Sequence, residues 1–250
     1  MFSKDELVRY ERQIIIPGWG EQGQEKLKKA KVVVAGAGGL GSAILNYLAV
    51  AGVGSIRVID GDTVELSNLN RQILHLEKDI GRKKVDSASD RLQTLNPHIE
   101  IEAIGEVITE DNVFEMVGDY LIVDALDNLP TRYLLNRVAV QRKLPLFHGA
   151  IYGFEGRVTN IIPGKTPCIK CLYKDVIPGK IPVVGVIPAV IGSIQATEVI
   201  KYVLGMGELL INRLLIYDGL VQKFTEAWLK QDPHCEECSL PRSFTIGDER

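Results

Sequence analysis

The sequence predicts an α/β fold in which a parallel sheet carries helices on both faces and continues into antiparallel strands. Three observations lead to this prediction. Apolar strand-like runs alternate with helical patterns through the first half of the chain. The first run ends in a glycine-rich turn that opens a helix. Near the C-terminus, two runs of alternating residues flank Asp218-Gly219. We therefore expect a Rossmann-like sheet with an antiparallel extension.

The elements of the first half follow the order of a repeated βαβ unit. Asn96-Pro97 is expected to end one helix, and Pro130 suits the first turn of another. Thr109 is expected to cap a helix that runs to Val117. Strands are predicted at residues 31–35, 55–60, 99–103, 120–124 and 144–148, and further helices at residues 42–51, 83–95 and 130–141.

The second half has a different texture. Residues 156–162 alternate as a strand, residues 164–182 form a long loop, and residues 188–204 form an apolar helix. Residues 213–217 and 222–228 are predicted to pair antiparallel. We expect a single domain with these parts: a helical N-terminal extension (1–30), a nucleotide-binding part (31–163), a crossover loop with helix, strands and cysteine clamp (164–238), and a tail (239–250).

Composition excludes several classes of protein. The formal net charge of -3 argues against a nucleic-acid partner, because such proteins carry a basic excess. The charged N-terminus lacks the apolar stretch of a secretion signal. Proline and glycine interrupt the apolar stretch 181–194, so no membrane helix is predicted. These features lead us to expect a cytoplasmic protein.

The glycine-rich turn predicts a nucleotide site. The pattern G-x-G-x-x-G lets the backbone approach a phosphate closely, and the following helix N-terminus favours negative charge. Asp60 ends the next strand, where an acid can accept hydrogen bonds from ribose hydroxyls. Taken alone, this pair favours NAD, so an NAD-dependent oxidoreductase is an alternative. The glycines concerned are Gly36, Gly38, Gly39 and Gly41.

Cationic side chains downstream favour ATP over NAD. Arg71 and Lys84 follow the glycine turn at positions within reach of the phosphate end of a ligand. A triphosphate carries more charge than a dinucleotide pyrophosphate, and its leaving group must be neutralised as it departs. Either residue alone is equally well explained as a surface charge.

Asp127 follows a strand at its carboxyl end, where open α/β sheets build their sites. A carboxylate there could hold Mg²⁺ against phosphate oxygens, because Mg²⁺ takes oxygen ligands. Its position beside Pro130-Thr131 is equally compatible with a helix cap. The residues alone leave both interpretations open.

The four cysteines form two C-x-x-C pairs, Cys168 with Cys171 and Cys235 with Cys238. In a reducing compartment this arrangement predicts a tetrahedral Zn²⁺ site with a structural role. A redox pair is the alternative, and it would explain only one of the two. His234 is a possible substitute ligand. If zinc takes all four thiolates, no cysteine remains to carry a substrate as a thioester.

Taken as a set, the motifs resemble the ThiF/MoeB/HesA family of ubiquitin-activating-like adenylyltransferases. The matching residues run from about Arg9 to Cys238 in family order. They are Arg9-Tyr10-x-Arg12-Gln13, the glycine turn, Asp60-x-Asp62, Ser67-Asn68-Leu69-x-Arg71-Gln72, Lys84, Asn96-Pro97, Asp127-Asn128-x-x-Thr131-Arg132 and both cysteine pairs.

The resemblance implies a homodimer that uses ATP to adenylate the Gly-Gly tail of a ubiquitin-fold sulfur-carrier protein, as in molybdenum-cofactor or thiamine biosynthesis. It implies that Asp127 binds Mg²⁺ and that Arg12 reaches the other subunit's site, whereas the pattern around Arg12 alone fits a solvated helix. The implied nucleotide contacts are Gly36, Gly38, Gly39, Gly41, Asp60, Asp62, Ser67, Asn68, Asn70, Arg71, Lys84, Asp127 and Asn128.

Two departures and three alternatives accompany the resemblance. The crossover segment 174–185 lacks the cysteine of many relatives, and Leu126 stands where threonine is common. The first departure puts a thioester step in doubt and leaves adenylation untouched. Besides the NAD-dependent oxidoreductase, a non-enzymatic scaffold and a family member acting on a peptide or a tRNA base remain open.

Overall fold

One eight-stranded sheet organises the chain, with strand order β3-β2-β1-β4-β5-β6-β7-β8. The computed structural model describes residues 2–173 and 182–239. The cysteine-free segment 174–181 and the tail from residue 240 lie outside that part of the chain. The strands are β1 (Lys31–Ala35), β2 (Ser55–Ile59), β3 (Glu100–Ile104), β4 (Leu121–Asp124), β5 (Leu146–Tyr152), β6 (Glu155–Ile161), β7 (Arg213–Asp218) and β8 (Lys223–Trp228).

The sheet changes from parallel to antiparallel at β5. Strands β1 to β5 pair in parallel, and their carboxyl ends therefore meet at one edge, where Ala35 pairs with both Ile59 and Asp124. From β5 onward each strand pairs antiparallel with the next. The predicted mixed α/β sheet with an antiparallel extension is confirmed, including the turn at Asp218-Gly219.

Helices cover both faces of this sheet. Strand β1 shows why, since Val32 and Val34 pack into one hydrophobic core and Val33 and Ala35 into the other. The helices are α1 (Lys4–Ile14), α2 (Gly20–Lys29), α3 (Gly39–Ala51), α4 (Lys84–Leu95), α5 (Val113–Val117), α6 (Leu129–Arg142), α7 (Ile169–Leu172) and α8 (Val186–Leu204). Helices α3, α4 and α8 contribute to the first core, and α5 and α6 to the second.

Helix α8 is long and apolar enough to cross a membrane, by length and composition alone. In the structure it packs against α3 and the sheet as a core helix, and core helices can share this length and composition. It also carries two buried polar side chains that form hydrogen bonds with the sheet and with the segment before β7. Gln195 donates to the carbonyls of Asp124 and Phe147, and Glu198 accepts from Asn160 and from the Leu210 N–H.

The N-terminal helix is fastened to the domain along one face. The Tyr10 hydroxyl accepts a hydrogen bond from the Asn96 amide at 2.8 Å, and the Gln13 amide donates to the Ala51 carbonyl at 3.0 Å. Arg9 donates to the Leu95 carbonyl at 2.9 Å. The expected solvated amphipathic helix is therefore solvated on one side only: Tyr10 is buried against the domain, while Arg9 and Arg12 are exposed.

Two predicted helix starts need correction. Helix α3 begins at Gly39 instead of residue 42, because the glycine turn itself supplies the first turn of the helix. Helix α5 begins at Val113 with Asn112 as its N-cap residue, so the expected cap at Thr109 is wrong. The Asn112 side chain accepts from the Thr109 N–H at 2.7 Å, which holds Thr109 in the turn before the helix.

Candidate nucleotide site and cysteine cluster

A cavity of about 790 Å³ opens at the carboxyl ends of β1, β2 and β4. This is where open α/β sheets place their ligands, and the volume suits a nucleotide-sized molecule. The expected site residues that line it are Gly36, Gly38, Gly39, Asp60, Asp62, Ser67, Asn68, Arg71, Lys84, Asp127 and Asn128. Gly41, Asn70 and Arg12 were also expected at the site, but they are not among the lining residues.

The glycine turn is required by a close approach between two strands. Gly36 has a φ of +104°, and a Cβ there would lie 2.6 Å from the Ala125 carbonyl oxygen. A Cβ on Gly41 would lie 2.0 Å from the Gly36 carbonyl oxygen. Gly41 therefore allows α3 to pack against the turn, which is a structural role behind the cavity and not a ligand contact.

Asp60 holds the glycine turn in place from the end of β2. One carboxylate oxygen accepts the Ala37 N–H at 2.8 Å, and the other accepts the Asp62 N–H at 2.9 Å. Each oxygen of an ionised carboxylate can accept more than one hydrogen bond. The expected contact with a ribose is therefore compatible with this second, structural function.

Lys84 is a buried cation at the first residue of α4. Its ammonium group lies 2.8 Å from an Asp62 oxygen and 3.9 Å from an Asp60 oxygen. The Asp62 carboxylate is largely exposed, with 73% of its side chain accessible. Lys84 is thus paired with an exposed carboxylate on one side and faces the cavity on the other, where phosphate oxygens could take over the pairing.

Arg71 lines the cavity and has no acidic partner among the described residues. Its guanidinium donates to the Ser67 carbonyl at 2.8 Å and to the Asn70 amide oxygen at 2.9 Å. No ion pair joins it to a carboxylate among the residues that the structure describes. Asn70 thus orients Arg71 from outside the cavity, and Asn68 caps the short turn that precedes both residues.

Asp127 projects an exposed carboxylate at the cavity. The cap of α6 is Asn128, whose side-chain oxygen accepts the Thr131 N–H at 3.0 Å, with Pro130 in the first turn. The helix-cap interpretation of Asp127 is therefore wrong. Within residues 2–173 and 182–239, no hydrogen bond or ion pair uses the Asp127 carboxylate, which remains available to a ligand or a metal ion.

A buried network that the sequence did not reveal supports the Asp127 loop. Asp124, at the end of β4, accepts a hydrogen bond from His148 Nδ1 at 2.6 Å and lies 3.2 Å from Arg132 Nε. Arg132 also donates to the carbonyls of Leu126 and Gly149. Because the Leu126 carbonyl precedes Asp127 directly, this network sets where the Asp127 loop lies.

The network has a defined protonation state. Burial lowers the pKa of His148, so the ring is neutral, and Tyr173 donates its hydroxyl hydrogen to Nε2 across 2.9 Å. Burial alone would raise the pKa of Asp124, but Arg132 and His148 outweigh it and hold the pKa below its ordinary value. The carboxylate is therefore ionised inside the protein.

Several other lining residues were missed by the sequence reasoning. Val107 and Ile108 follow β3, and the strand-end rule that found Asp127 could have found them too. Ile151 lines the cavity from β5, beyond the predicted end of that strand. Gln72 is buried, and its amide oxygen has no hydrogen-bond partner in the described part of the protein. It belongs to the motif Ser67-Asn68-Leu69-x-Arg71-Gln72, but it was not expected to contact the nucleotide.

The four cysteines form one cluster, as expected from their spacing. All four sulfur atoms lie within 4.8 Å of one another, with Cys168 and Cys235 at 3.7 Å and Cys171 and Cys238 at 3.5 Å. A tetrahedral ion with metal–sulfur bonds of about 2.3 Å places its sulfurs about 3.8 Å apart. The donor set therefore fits a tetrahedral metal ion, and the distances exceed those of a disulfide.

The surroundings of the cluster also fit a bound ion. Asn136 accepts the Ile169 N–H through its side-chain oxygen at 2.8 Å, while its buried side-chain N–H group has no partner among the described residues. An N–H donor beside ligating sulfurs is a common support for such sites.

Among known proteins, this chain has relatives of similar length. A model described as the ThiF family matches residues 10–239. The chain is 46% identical over 250 residues to the sulfur carrier protein adenylyltransferase of Thermus thermophilus, covering 95% of this chain and 92% of the relative. It is 44% identical over 241 residues to the SAMP-activating enzyme E1 of Haloferax volcanii, covering 93% of this chain and 89% of the relative.

Two solved structures resemble the fold described above. E. coli MccB solved with MccA-N7isoASN superposes with a TM-score of 0.84 at 26% identity, covering 92% of this chain and 74% of that one. E. coli MccB solved with ATP has a TM-score of 0.81 at 25% identity, with the same two coverages of 92% and 74%. The similarity extends over most of the described chain.

Proposed function

This chain belongs to the ThiF family and is an adenylyltransferase, and we propose that it adenylates the C-terminal carboxylate of a small sulfur-carrier protein. The proposed carrier has a ubiquitin fold and ends in Gly-Gly, and ATP is the AMP donor. The 46% identity to a sulfur carrier protein adenylyltransferase supports this choice of substrate. Molybdenum-cofactor and thiamine-type carriers are equally suitable in chemical terms.

One observation carries the proposal. In a single cavity, Arg71 has no acidic partner and Asp127 has no cationic one among the described residues. A triphosphate needs cations around its leaving group and a metal-binding acid to hold its counter-ion. A dinucleotide pyrophosphate is served by the helix N-terminus and leaves both residues without a function.

In the proposed reaction a carboxylate oxygen of the carrier forms a bond to the α-phosphorus of ATP. The bond between that phosphorus and the bridging oxygen breaks, and the electron pair leaves with pyrophosphate. No general base is needed, because a C-terminal carboxylate is already ionised at neutral pH. The chain therefore contributes positioning, together with positive charge from Arg71 and Lys84 at the departing pyrophosphate.

Asp127 fits the requirements for Mg²⁺. It offers an exposed carboxylate oxygen at the cavity, and Mg²⁺ typically takes one or two protein carboxylates and completes its shell with phosphate oxygens and water. When bound, Mg²⁺ supplies positive charge to the phosphate oxygens. Asp124, Arg132 and His148 would keep the Asp127 loop in position for that contact.

Arg12 would act in the site of a second subunit. It lies on the exposed side of α1 and does not line the cavity of its own chain. The same helix and the turn after it expose Val8 and Ile15, at 76% and 63% of their surface, which suits an interface. Mixing Arg12→Ala subunits with Asp127→Ala subunits should restore activity, because each mixed dimer keeps one intact site; no recovery would contradict a shared site.

An apolar surface beside the cavity suits the docking of a protein. Ile151 lines the cavity, and the adjacent Tyr152 is 66% exposed at the β5–β6 turn. A hydrogen bond from the Gly219 N–H to the Phe154 carbonyl joins this turn to the β7–β8 turn. There Leu220 and Val221 are exposed, and such patches mark binding surfaces.

The docking surface has a direct test. Val221→Asp should raise the KM for the carrier about tenfold or more, because a charge would be buried against the partner, and the KM for ATP should stay unchanged. Ile80→Asp, at another exposed apolar residue, is the matched control. Equal effects of the two variants on the carrier would contradict docking at this surface.

We also propose that the cysteine cluster holds Zn²⁺ through Cys168, Cys171, Cys235 and Cys238. Four protein ligands leave no open position, so the ion would clip the segment after the sheet to the C-terminal segment and take no part in the reaction. All four thiolates would be occupied, which leaves no cysteine for a thioester. Such a site needs reduced thiols, in keeping with a cytoplasmic location.

A peptide substrate is the second candidate. The resemblance to E. coli MccB solved with MccA-N7isoASN favours it, since the reacting group could also belong to a short peptide. Its 26% identity is well below the 46% shared with the sulfur-carrier enzyme, and we therefore prefer the carrier. Exchange of labelled pyrophosphate into ATP, measured with a Gly-Gly carrier and with short peptides, separates the two.

A further inference from the structure

A buried hydrogen-bond network lies behind the glycine turn, and the proposed reaction assigns it no role. His75 is 4% exposed. Its Nε2 lies 2.9 Å from the Ala37 carbonyl oxygen, and its Nδ1 lies 2.9 Å from the Ser87 hydroxyl. The same hydroxyl is 3.0 Å from an Asp79 carboxylate oxygen. This network therefore connects the start of α4 with the middle of the glycine turn.

The partners determine which nitrogen of His75 carries the hydrogen. A carbonyl oxygen can only accept, so Nε2 must donate to Ala37. Burial lowers the pKa of His75, and the ring is neutral with an unprotonated Nδ1. The Ser87 hydroxyl donates its single hydrogen to the Asp79 carboxylate, which can only accept, so the hydrogen on Nε2 follows from the contact with the Ala37 carbonyl.

This hydrogen bond sets the direction of the next N–H group. In a trans peptide the C=O and the following N–H point in opposite directions. Because the Ala37 carbonyl points inward to His75, the Gly38 N–H of the same peptide unit points away, and Gly38 lines the cavity. Among the described residues no hydrogen bond uses this N–H, whereas the preceding Ala37 N–H is held by Asp60.

We propose that His75 is a positioning residue that aims the Gly38 N–H at a phosphate group of the bound nucleotide. The inference rests on the proposed use of ATP and adds a determinant of phosphate binding to it. His75 does not touch the ligand. It acts through the Ala37–Gly38 peptide, whose carbonyl it holds, while Asp60 holds the N–H of the preceding peptide unit.

Two amide substitutions at one position separate this role from a merely structural one. The Gln side chain in His75→Gln can place an N–H near the position of Nε2, whereas the shorter side chain in His75→Asn can reach only toward Ser87. The measurement is the dissociation constant of MgATP and of adenosine for each variant, by calorimetry. A group that aims an N–H at phosphate affects ATP and not adenosine.

We expect His75→Asn to weaken ATP binding about tenfold, the usual effect of losing one hydrogen bond to a charged group, with adenosine unchanged. His75→Gln should keep the wild-type ratio of the two constants. Ser87→Ala, which keeps His75 but removes the hydroxyl, should lower the ATP preference by a smaller factor. It takes the place of His75→Asn if that variant does not fold.

Results that would contradict the positioning role differ from the result that would contradict the proposed function. If His75→Asn keeps the wild-type preference for ATP, or weakens adenosine by the same factor as ATP, the positioning role is wrong. An unchanged preference in Ser87→Ala would overturn it in the same way when that variant is the one tested. Wild-type protein that binds adenosine as tightly as ATP would overturn the proposed function together with this inference.

Discussion

The nucleotide cavity and the cysteine cluster differ in how some of their charged side chains are paired. At the cavity, Arg71 and Asp127 have no oppositely charged partner among the described residues. At the cluster, Glu237 is paired with Lys170 at 3.0 Å and with Arg137 at 3.8 Å. Arg71 and Asp127 are therefore available to pair with a ligand, whereas Glu237 beside the cluster already has its partners.

The difference indicates what each region is built for. An unpaired charge does little for the stability of the free protein, and it becomes useful when a ligand brings the opposite charge. Paired charges around a buried cluster stabilise one arrangement of the chain. Substitutions at the cavity should therefore reduce activity at constant stability, and substitutions at the cluster should reduce stability first.

Asp127→Ala should show the largest effect. Removing the carboxylate should lower pyrophosphate exchange about 100- to 1000-fold, the range seen when one electrostatic contact to a transition state is lost. The melting temperature should stay that of the wild type, because Asp127 has no partner to lose. Asp111→Ala, at an exposed acid outside the cavity, is the control; equal activity of both variants would contradict the role of Asp127.

Cys171→Ser, at the cluster, should lower stability and leave the activity of the folded protein intact, the reverse of Asp127→Ala. Loss of one ligand should release the metal and lower the free energy of unfolding by about 3 kcal/mol or more, measured by urea denaturation with metal analysis. The folded fraction should still exchange pyrophosphate. His234→Ala is the matched control and should retain the metal, since four sulfurs complete the site. Metal-free wild-type protein of full stability would contradict the clip.

Asp60→Ala should fall between these two extremes. The loss of hydrogen bonds to a ribose should weaken ATP binding about tenfold or more. Because the Asp60 carboxylate also accepts the Ala37 N–H, the turnover number should fall as well, which the ribose contact alone would not predict. Isothermal titration and exchange kinetics measure the two effects separately. An unchanged ATP affinity would refute the ribose assignment.

The smallest expected effect is a dependence of stability on pH at the network that joins the regions. Tyr173 follows the first cysteine pair, and His148 connects it to Asp124 beside the cavity. Burial lowers the pKa of His148, so the unfolded chain binds a proton more readily than the folded one. Stability is therefore full above the unfolded pKa of about 6.5 and declines as the pH falls below it.

Urea denaturation at pH 7.5 and at pH 5.5 measures this decline. His148→Asn, which keeps an N–H donor for Asp124 and does not titrate, should show a smaller loss between the two pH values than the wild type. His98→Asn, at an exposed histidine, should keep the wild-type loss. An identical loss in all three proteins would show that His148 does not contribute.

The cavity could be predicted from sequence where its residues are local. Gly36, Asp60 and Asp127 follow β1, β2 and β4, which are neighbours in the sheet, and parallel strands bring their carboxyl ends to one edge. The two cysteine pairs were equally readable from their spacing. In both cases each motif lies within a few residues of chain, although the motifs that meet at the site are far apart in sequence.

His75 and His148 could not be predicted in this way. Each acquires its function from partners that are distant in sequence, such as Ala37 for His75, 38 positions away. A lone histidine in an apolar stretch carries no signal of such a partner. The failed cap at Thr109 has a different, local cause, because the nearby Asn112 takes the N-cap position and accepts the Thr109 N–H.

The central claim is that this cavity holds the three phosphates of ATP so that a protein carboxylate displaces pyrophosphate. Exchange of labelled pyrophosphate into ATP tests it most directly, with purified chain, Mg²⁺ and a carrier whose Gly-Gly terminus is either free or amidated. The account predicts exchange with the free terminus and none with the amidated one. Equal exchange with both termini, or a chain that binds NAD and ignores ATP, would contradict it.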